Sequence, residues 1–314
     1  MNNIRLISTF LFLPLLGLII YPSTTNAANN PSCSGEVRFV AIGDTGYGNA
    51  QGKKTAKAIS EVCESRGCDF ILHLGDIVYP KGVVSSADWQ WRDKFEKPFA
   101  DIINRPWYFV MGNHDYGGSH LDNPKPADAG PYLSYAKKHP GEFYFPASSY
   151  SFHKGPVDFF AIDSALLTSD EYRSSVIKTM KPKIETSEAP WRIAFAHHTI
   201  VSNGSHYKPE PGITAGYDEL VCDRKVHMLI SSHEHNRQWF KNNASCPDTH
   251  LIVSGASAET TPFKEKSKTF TPSHALFQDD DDNGFFYVRA RCTTLYGAFY
   301  DDNAKIDFEY TISK

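Results

Sequence analysis

The chain reads as an α/β fold in which two mixed β-sheets pack face to face with helices outside. Three observations lead there. Short apolar runs rich in β-branched and aromatic residues recur at 37–42, 70–74, 107–111, 192–195 and 226–230, each the length of a buried strand. Helix-length segments separate several of these runs, the alternation that builds parallel sheet. The chain then closes on strand-like segments at 285–290, 294–300 and 305–312, whose short connections imply antiparallel pairing.

Taken in order, residues 1–27 carry one charge, Arg5, then an apolar stretch over 10–20 and the small-residue exit Thr25-Asn26-Ala27. That is the pattern of a secretory signal peptide cleaved after Ala27 or Ala28. The apolar part is short for a membrane span and contains Pro14. Residues 28–314 are then expected to form a single catalytic domain, since no Pro/Ser-rich linker or internal repeat interrupts them. A chain of that size buries about three-quarters of its unfolded surface. Strand 37–42 is followed by a helix at 53–64, strand 70–74, a helix near 87–103 and strand 107–111. A Gly/Pro/Asn-rich loop is predicted over 117–131, a β-hairpin from 148–153 and 157–162, and a helix near 170–186. The acidic run Asp279 to Asp282 reads as a solvated turn before the strand at 284–288.

Six cysteines, all outside the signal segment, agree with an oxidising destination, secreted or periplasmic. The preferred pairing is Cys63 with Cys68 across a tight loop, Cys222 with Cys246, and Cys33 with Cys292 tying the two ends. The net charge of −4 and the lack of Lys/Arg stripes exclude a nucleic-acid groove as partner. Stable membrane insertion is not expected after signal cleavage, and the sequence is silent on oligomeric state. Asn203-Gly-Ser and Asn243-Ala-Ser match glycosylation acceptors.

Chemistry concentrates in five segments, each just past an apolar run: Gly43-Asp44-Thr45-Gly46, Gly75-Asp76-Ile77-Val78-Tyr79, Gly112-Asn113-His114-Asp115, Ala196-His197-His198 and Ser232-His233-Glu234-His235. In open α/β sheets the crevice beyond the strand C-termini is where ligands bind, so segments distant in sequence can converge there. Singly, each has an ordinary reading: Gly-Asp is a common turn, Asn and Asp tolerate unusual backbone angles, and a lone Tyr is usually a packed aromatic. On strand alternation His197 and His198 face opposite ways, whereas His233 and His235 share a face. Together the carboxylates, phenol, amide and imidazoles suit iron, manganese or zinc and exceed what one ion can take. Two ions with a bridging carboxylate are implied, the arrangement that clamps an in-line phosphoryl displacement.

These five motifs resemble those of the metallophosphoesterases, and within them the purple acid phosphatases of the small, tartrate-resistant kind. The likeness runs from Val37 to the closing strands that begin Gly284-Phe285-Phe286-Tyr287-Val288. Where metallophosphoesterases in general begin with Asp-x-His, this chain has Asp44-Thr45-Gly46, and it carries Tyr79 three residues after Asp76, where the purple branch places a phenolate. The resemblance implies the calcineurin-like metallophosphoesterase sandwich. It further implies a first ion on Asp44, Asp76, Tyr79 and His235, a second on Asp76, Asn113, His197 and His233, and Asp76 as the bridge. Three anionic oxygens favour a trivalent ion and neutral imidazoles a divalent one, so iron(III) beside iron(II), zinc or manganese is expected, with a coloured tyrosinate complex.

The activity implied is hydrolysis of phosphoric monoesters, by metal-activated hydroxide, in a secreted acid phosphatase acting on a small phosphomonoester or a phosphoprotein. His114, beside Asn113, and His206, reached through Ser202-Asn203-Gly204-Ser205, fall where this family carries substrate-binding or proton-donating histidines. A phosphodiesterase of the same superfamily and a non-catalytic metal-binding surface protein are the alternatives. The chain departs from the family pattern at Ser232, which replaces a glycine and is expected to crowd His233, and at His198, which replaces an aromatic. His73 reads as a hydrogen-bonded histidine pointing inward.

Overall fold

The computed structural model describes residues 33, 35–118, 124–267 and 270–314; the signal segment predicted at 1–27 lies outside them. In chain order the elements are β1 (Val37–Ile42), α1 (Ala50–Arg66), β2 (Phe70–His73), β3 (Trp107–Phe109), α2 (Gly130–Lys138), β4 (Phe143–Tyr144), β5 (Tyr150–Lys154) and β6 (Val157–Ala161). They continue with α3 (Asp170–Glu185), β7 (Trp191–Phe195), α4 (Pro211–Tyr217), β8 (Met228–Ser231), β9 (Arg237–Phe240), β10 (His250–Ser254) and β11 (Phe277–Asp279). The last three are β12 (Gly284–Ala290), β13 (Thr294–Asp301) and β14 (Ile306–Ser313).

Two seven-stranded sheets result, ordered β14-β13-β12-β1-β2-β3-β4 and β11-β9-β10-β8-β7-β6-β5. In the first, β1, β2, β3 and β4 run parallel while β12 to β14 add antiparallel strands. In the second, β6, β7, β8 and β10 are parallel, flanked by antiparallel β5, β9 and β11. Alternation along the central strands sorts the side chains into layers. Phe159, Ile193, Phe195 and Ile230 join Phe39 and Phe70 in the core between the sheets, whereas Phe160, Ala194 and Leu229 face outward onto Met180, Ile184 and Ile213 of α3 and α4. Phe39 meets Phe159 edge-on at 5.2 Å, and Trp239 of β9 meets Phe286 of β12 at 5.3 Å.

The predicted strands and the helices at 53–64 and 170–186 are present, with ends shifted by a few residues. α1 starts earlier because the Asn49 side chain accepts from Gly52 N at 2.9 Å, a side-chain cap on its first turn. The helix predicted at 87–103 is not formed as such: a π-helical turn, Trp91–Glu96, gives way to turns. Pro98 lacks the amide hydrogen that a continuing helix needs. The loop predicted over 117–131 is also partly wrong, since a 3₁₀ turn, Pro126–Ala129, leads into α2, with Pro131 in its first turn, where a missing amide hydrogen has no cost. The acidic run is not merely a solvated turn: Asp279 accepts from Arg237 at 2.8 Å and Asp280 accepts from Phe263 N. All three expected disulfides are paired, with Cα separations of 5.6 Å for Cys33–Cys292, 4.9 Å for Cys63–Cys68 and 5.0 Å for Cys222–Cys246. The described residues form one compact unit, and among them no helix is long and apolar enough to cross a membrane.

Candidate metal centre

Every chemical segment leaves the C-terminal end of a parallel strand. Asp44 follows β1, Asp76 and Tyr79 follow β2, and Asn113 and His114 follow β3, all from the first sheet. His197 follows β7, and His233 and His235 follow β8, from the second. The chain must turn sharply at each point to aim a side chain across the crevice. Asp44, Asp76 and His233 do so in the left-handed region, at φ of 57°, 54° and 69°. Each such non-glycine conformation costs on the order of 1–3 kcal/mol, and such strain collects at functional sites.

The side chains meet in two overlapping groups. In one, Tyr79 Oη donates to Asp44 Oδ1 at 2.9 Å and stands 3.0 Å from His235 Nε2, which is 3.5 Å from Asp44 Oδ1. In the other, His197 Nε2 lies 3.0 Å from Asn113 Oδ1, 3.1 Å from His233 Nδ1 and 3.5 Å from Asp76 Oδ2. The donor and acceptor roles of His197 and Asn113 are fixed from outside the group. His197 Nδ1 sits 2.9 Å from Leu74 O, an acceptor, so the ring hydrogen is there and Nε2 presents a lone pair. Asn113 Nδ2 donates to Gly118 O at 3.2 Å, which turns Oδ1 inward. Lone pairs therefore face lone pairs, a repulsive arrangement that a cation relieves. Ligand atoms of Asp44, Asp76 and His197 all lie within 4.8 Å of one another, which ties the two groups together.

Electrostatics point the same way. Burial and the charge of Asp44 raise the pKa of Asp76, while burial of Asp44 is outweighed by His235, which holds its carboxyl low. Burial, then Asp44 and Asp76, push the Tyr79 phenol well above its ordinary value. A strongly polarising cation is what turns such a phenol into a phenolate ligand. The donor set fits the predicted pair of ions.

The neighbours add detail that the sequence reading lacked. Asp115, given no role of its own by the sequence, is a buried brace: its carboxylate accepts from Ile77 N at 3.0 Å, Gly112 N at 2.9 Å and Tyr132 Oη at 2.9 Å, fastening the second motif to the third. Its local signal was only an Asp two residues after Asn113. The expectation that His197 and His198 face opposite ways fails because β7 ends at Phe195 and alternation stops with it. Their rings lie 4.9 Å apart, and the ligand atoms of His197, His198 and His233 are mutually within 4.8 Å. Ser232 does not crowd the site: Oγ donates to Leu74 O at 2.8 Å, in space left by the missing β-carbon of Gly43. His73 is buried as expected, 2.7 Å from Thr45 Oγ1, and burial lowers its pKa to about 3.

His114 flanks the centre, its ring 4.5 Å from that of Tyr79 and its amide donating to Asp76 Oδ1 at 2.9 Å. Its Nδ1 donates to Pro80 O at 2.7 Å. His206 stands on the other side, its ring 4.3 Å from that of His233. Asn203 is buried, and Nδ2 donates to Gln278 Oε1 at 2.7 Å and Ser273 O at 2.9 Å, so this sequon is closed to a glycan in the folded chain.

Comparison with known proteins places these features in context. Residues 37–237 match the family described as calcineurin-like phosphoesterase. Tartrate-resistant acid phosphatase type 5 of Homo sapiens is 26% identical over 325 residues, 94% of this chain and 95% of that protein. Purple acid phosphatase 3 of Arabidopsis thaliana is 24% identical over 315 residues, 90% of this chain and 81% of that protein. Among solved structures, the purple acid phosphatase PPD1 of yellow lupin superposes with a TM-score of 0.67 at 19% identity, covering 90% of this chain and 55% of that one. GAP50, the anchor in the inner membrane complex of Plasmodium, superposes with a TM-score of 0.72 at 19% identity, covering 90% of this chain and 89% of that one. The chain belongs to the calcineurin-like phosphoesterase family.

Proposed function

We propose that this phosphoesterase is an exported acid phosphatase that hydrolyses phosphoric monoesters at a dinuclear centre of iron(III) with iron(II), zinc(II) or manganese(II). The observation that carries the reading is the facing of the His197 and Asn113 lone pairs in the second group, joined to the first through Asp44, Asp76 and His197. Asp44, Asp76, Tyr79 and His235 would hold the first ion, and Asp76, Asn113, His197 and His233 the second. Loaded ions would supply an acidified water as nucleophile and positive charge for the phosphoryl oxygens.

The chain supplies the leaving-group chemistry. Because Nδ1 of His114 gives its hydrogen to Pro80 O, a neutral ring leaves Nε2 bare. With a hydrogen on Nε2 as well, the ring becomes a donor able to bind a phosphoryl oxygen or to protonate the departing alkoxide, as a general acid does. His206, across the site, is assigned the second such contact. Three disulfides support an oxidising destination, and the substrate class proposed is a small phosphomonoester or a phosphoprotein.

Metal analysis, a visible spectrum and turnover of a monoester against a diester at acidic pH test the proposal together. Two ions per chain with iron among them, a visible charge-transfer band and faster monoester cleavage are expected. Active but colourless, iron-free protein overturns the ferric assignment, and preferred diester cleavage replaces the phosphatase reading with a phosphodiesterase. Two bound ions with no turnover of either ester point to a non-catalytic binding protein, the reading that the likeness in fold to an anchor protein supports.

A further inference from the structure

We propose that Glu234 is a positioning residue for His206: its buried carboxylate fixes the 202–206 turn so that the His206 ring stands against His233. This rests on the reading of His206 as a substrate-contacting histidine. Glu234 lies between two proposed ligands, yet its side chain points away from that duty and is fully buried. One oxygen accepts from Ser202 Oγ at 3.0 Å and from His206 N, and the other accepts from Ser205 N at 3.0 Å and Ser205 Oγ at 3.4 Å. The His206 ring reaches the same group, with Nδ1 3.6 Å from Oε2.

An ionised carboxylate only accepts, and burying it is costly unless donors surround it. The turn supplies those donors from consecutive residues, so carboxylate and turn each require the other. Ser202 Oγ also accepts from Gly204 N at 2.7 Å and Gln238 Nε2 at 3.2 Å, which closes the turn on itself and on β9. Gly204 completes the fit: a β-carbon there would stand 2.2 Å from Glu234 Oε2, with Glu234 its three nearest neighbours. The segment that carries His233 and His235 and the turn that carries His206 are thus one mechanical unit. A misplacement of about 1 Å in a substrate-contacting group can cost 10²-fold in rate.

The test compares E234A, E234Q, G204A and H206A, with the doubles E234A/H206A and E234A/G204A. The readings are kcat, KM for a phosphomonoester, inhibition by inorganic phosphate and metal content. Expected are two ions per chain throughout and a loss of about 10- to 100-fold in kcat/KM, with weaker phosphate inhibition, in E234A, G204A and H206A. E234A should add nothing to H206A, and G204A nothing to E234A, because its clash is with the deleted group. E234Q keeps an acceptor for His206 N and should lose less. An unimpaired H206A overturns the reading of His206 itself. An impaired H206A with unimpaired E234A and G204A, or losses that multiply in E234A/H206A, overturns the role of Glu234 alone. Should E234A shed an ion, G204A, which keeps the Glu234 carboxylate and alters the turn, gives the deciding measurement.

Discussion

A β-carbon on Gly112 would stand 2.1 Å from Asp76 Oδ1 and 2.6 Å from Asp76 N, so the third motif can approach the proposed bridging carboxylate only as glycine. Gly112→Ala therefore displaces Asp76 without altering any donor atom. Metal affinity is expected to fall about 10- to 100-fold, read by metal analysis after dialysis against a chelator; retention of both ions would show the contact to be slack. The residues that converge at the site were legible because Asp, Asn, Tyr and His stood directly after apolar runs. What stayed hidden at this scale were the roles of Asp115 and Glu234, whose partners are backbone amides and hydroxyls of other segments. Such interactions leave no compositional trace.

Between elements, the clearest case of polar residues hiding a strand is β9. Arg237 and Gln238 open it, and their polarity masks a segment whose residues are all buried. The preceding strand, β8, was legible from its β-branched run at 226–230, but β9 and its edge partner β11 were not. Arg237 explains why they form: its guanidinium donates to Asp279 of β11 at 2.8 Å, Asp307 of β14 at 2.6 Å and Tyr300 O of β13 at 3.1 Å, joining the edges of the two sheets. Replacing it by methionine leaves two partly buried carboxylates and a carbonyl without their cation. A loss of about 3 kcal/mol is expected in urea denaturation, since breaking such a pair costs more than removing it whole. Adding Asp279→Asn and Asp307→Asn should recover part of that loss; no recovery would mean that packing of the arginine stem is what matters.

Across the whole molecule, acid tolerance depends on buried groups that titrate in opposite senses. His227 and His250 are both lowered to about 4, chiefly by burial. As neutral rings they accept at Nδ1 from Arg192 N at 3.0 Å and from Trp239 Nε1 at 2.9 Å, and a second proton ends that role. Between their unfolded value of about 6.5 and the folded value, the unfolded chain binds more protons, so stability falls as pH drops through this window. Asp163 behaves oppositely: burial lifts its carboxyl to about 7 although Tyr116 donates to it, so the folded chain binds more protons and stability rises as pH falls from 7 toward 3.8. None of the three hydrogen-bonds to a proposed ligand. One carboxyl against two partly solvated histidines leaves a net loss on acidification of at most about 1.4 kcal/mol per pH unit. The double variant His227→Gln/His250→Gln should flatten the loss between pH 6.5 and 4, whereas Asp163→Asn should steepen it. Unfolding midpoints measured at intervals across that range decide the matter: parallel curves for wild type and both variants would mean that these groups do not set the acid limit, and that other buried histidines lowered in the same sense, His73 among them, do.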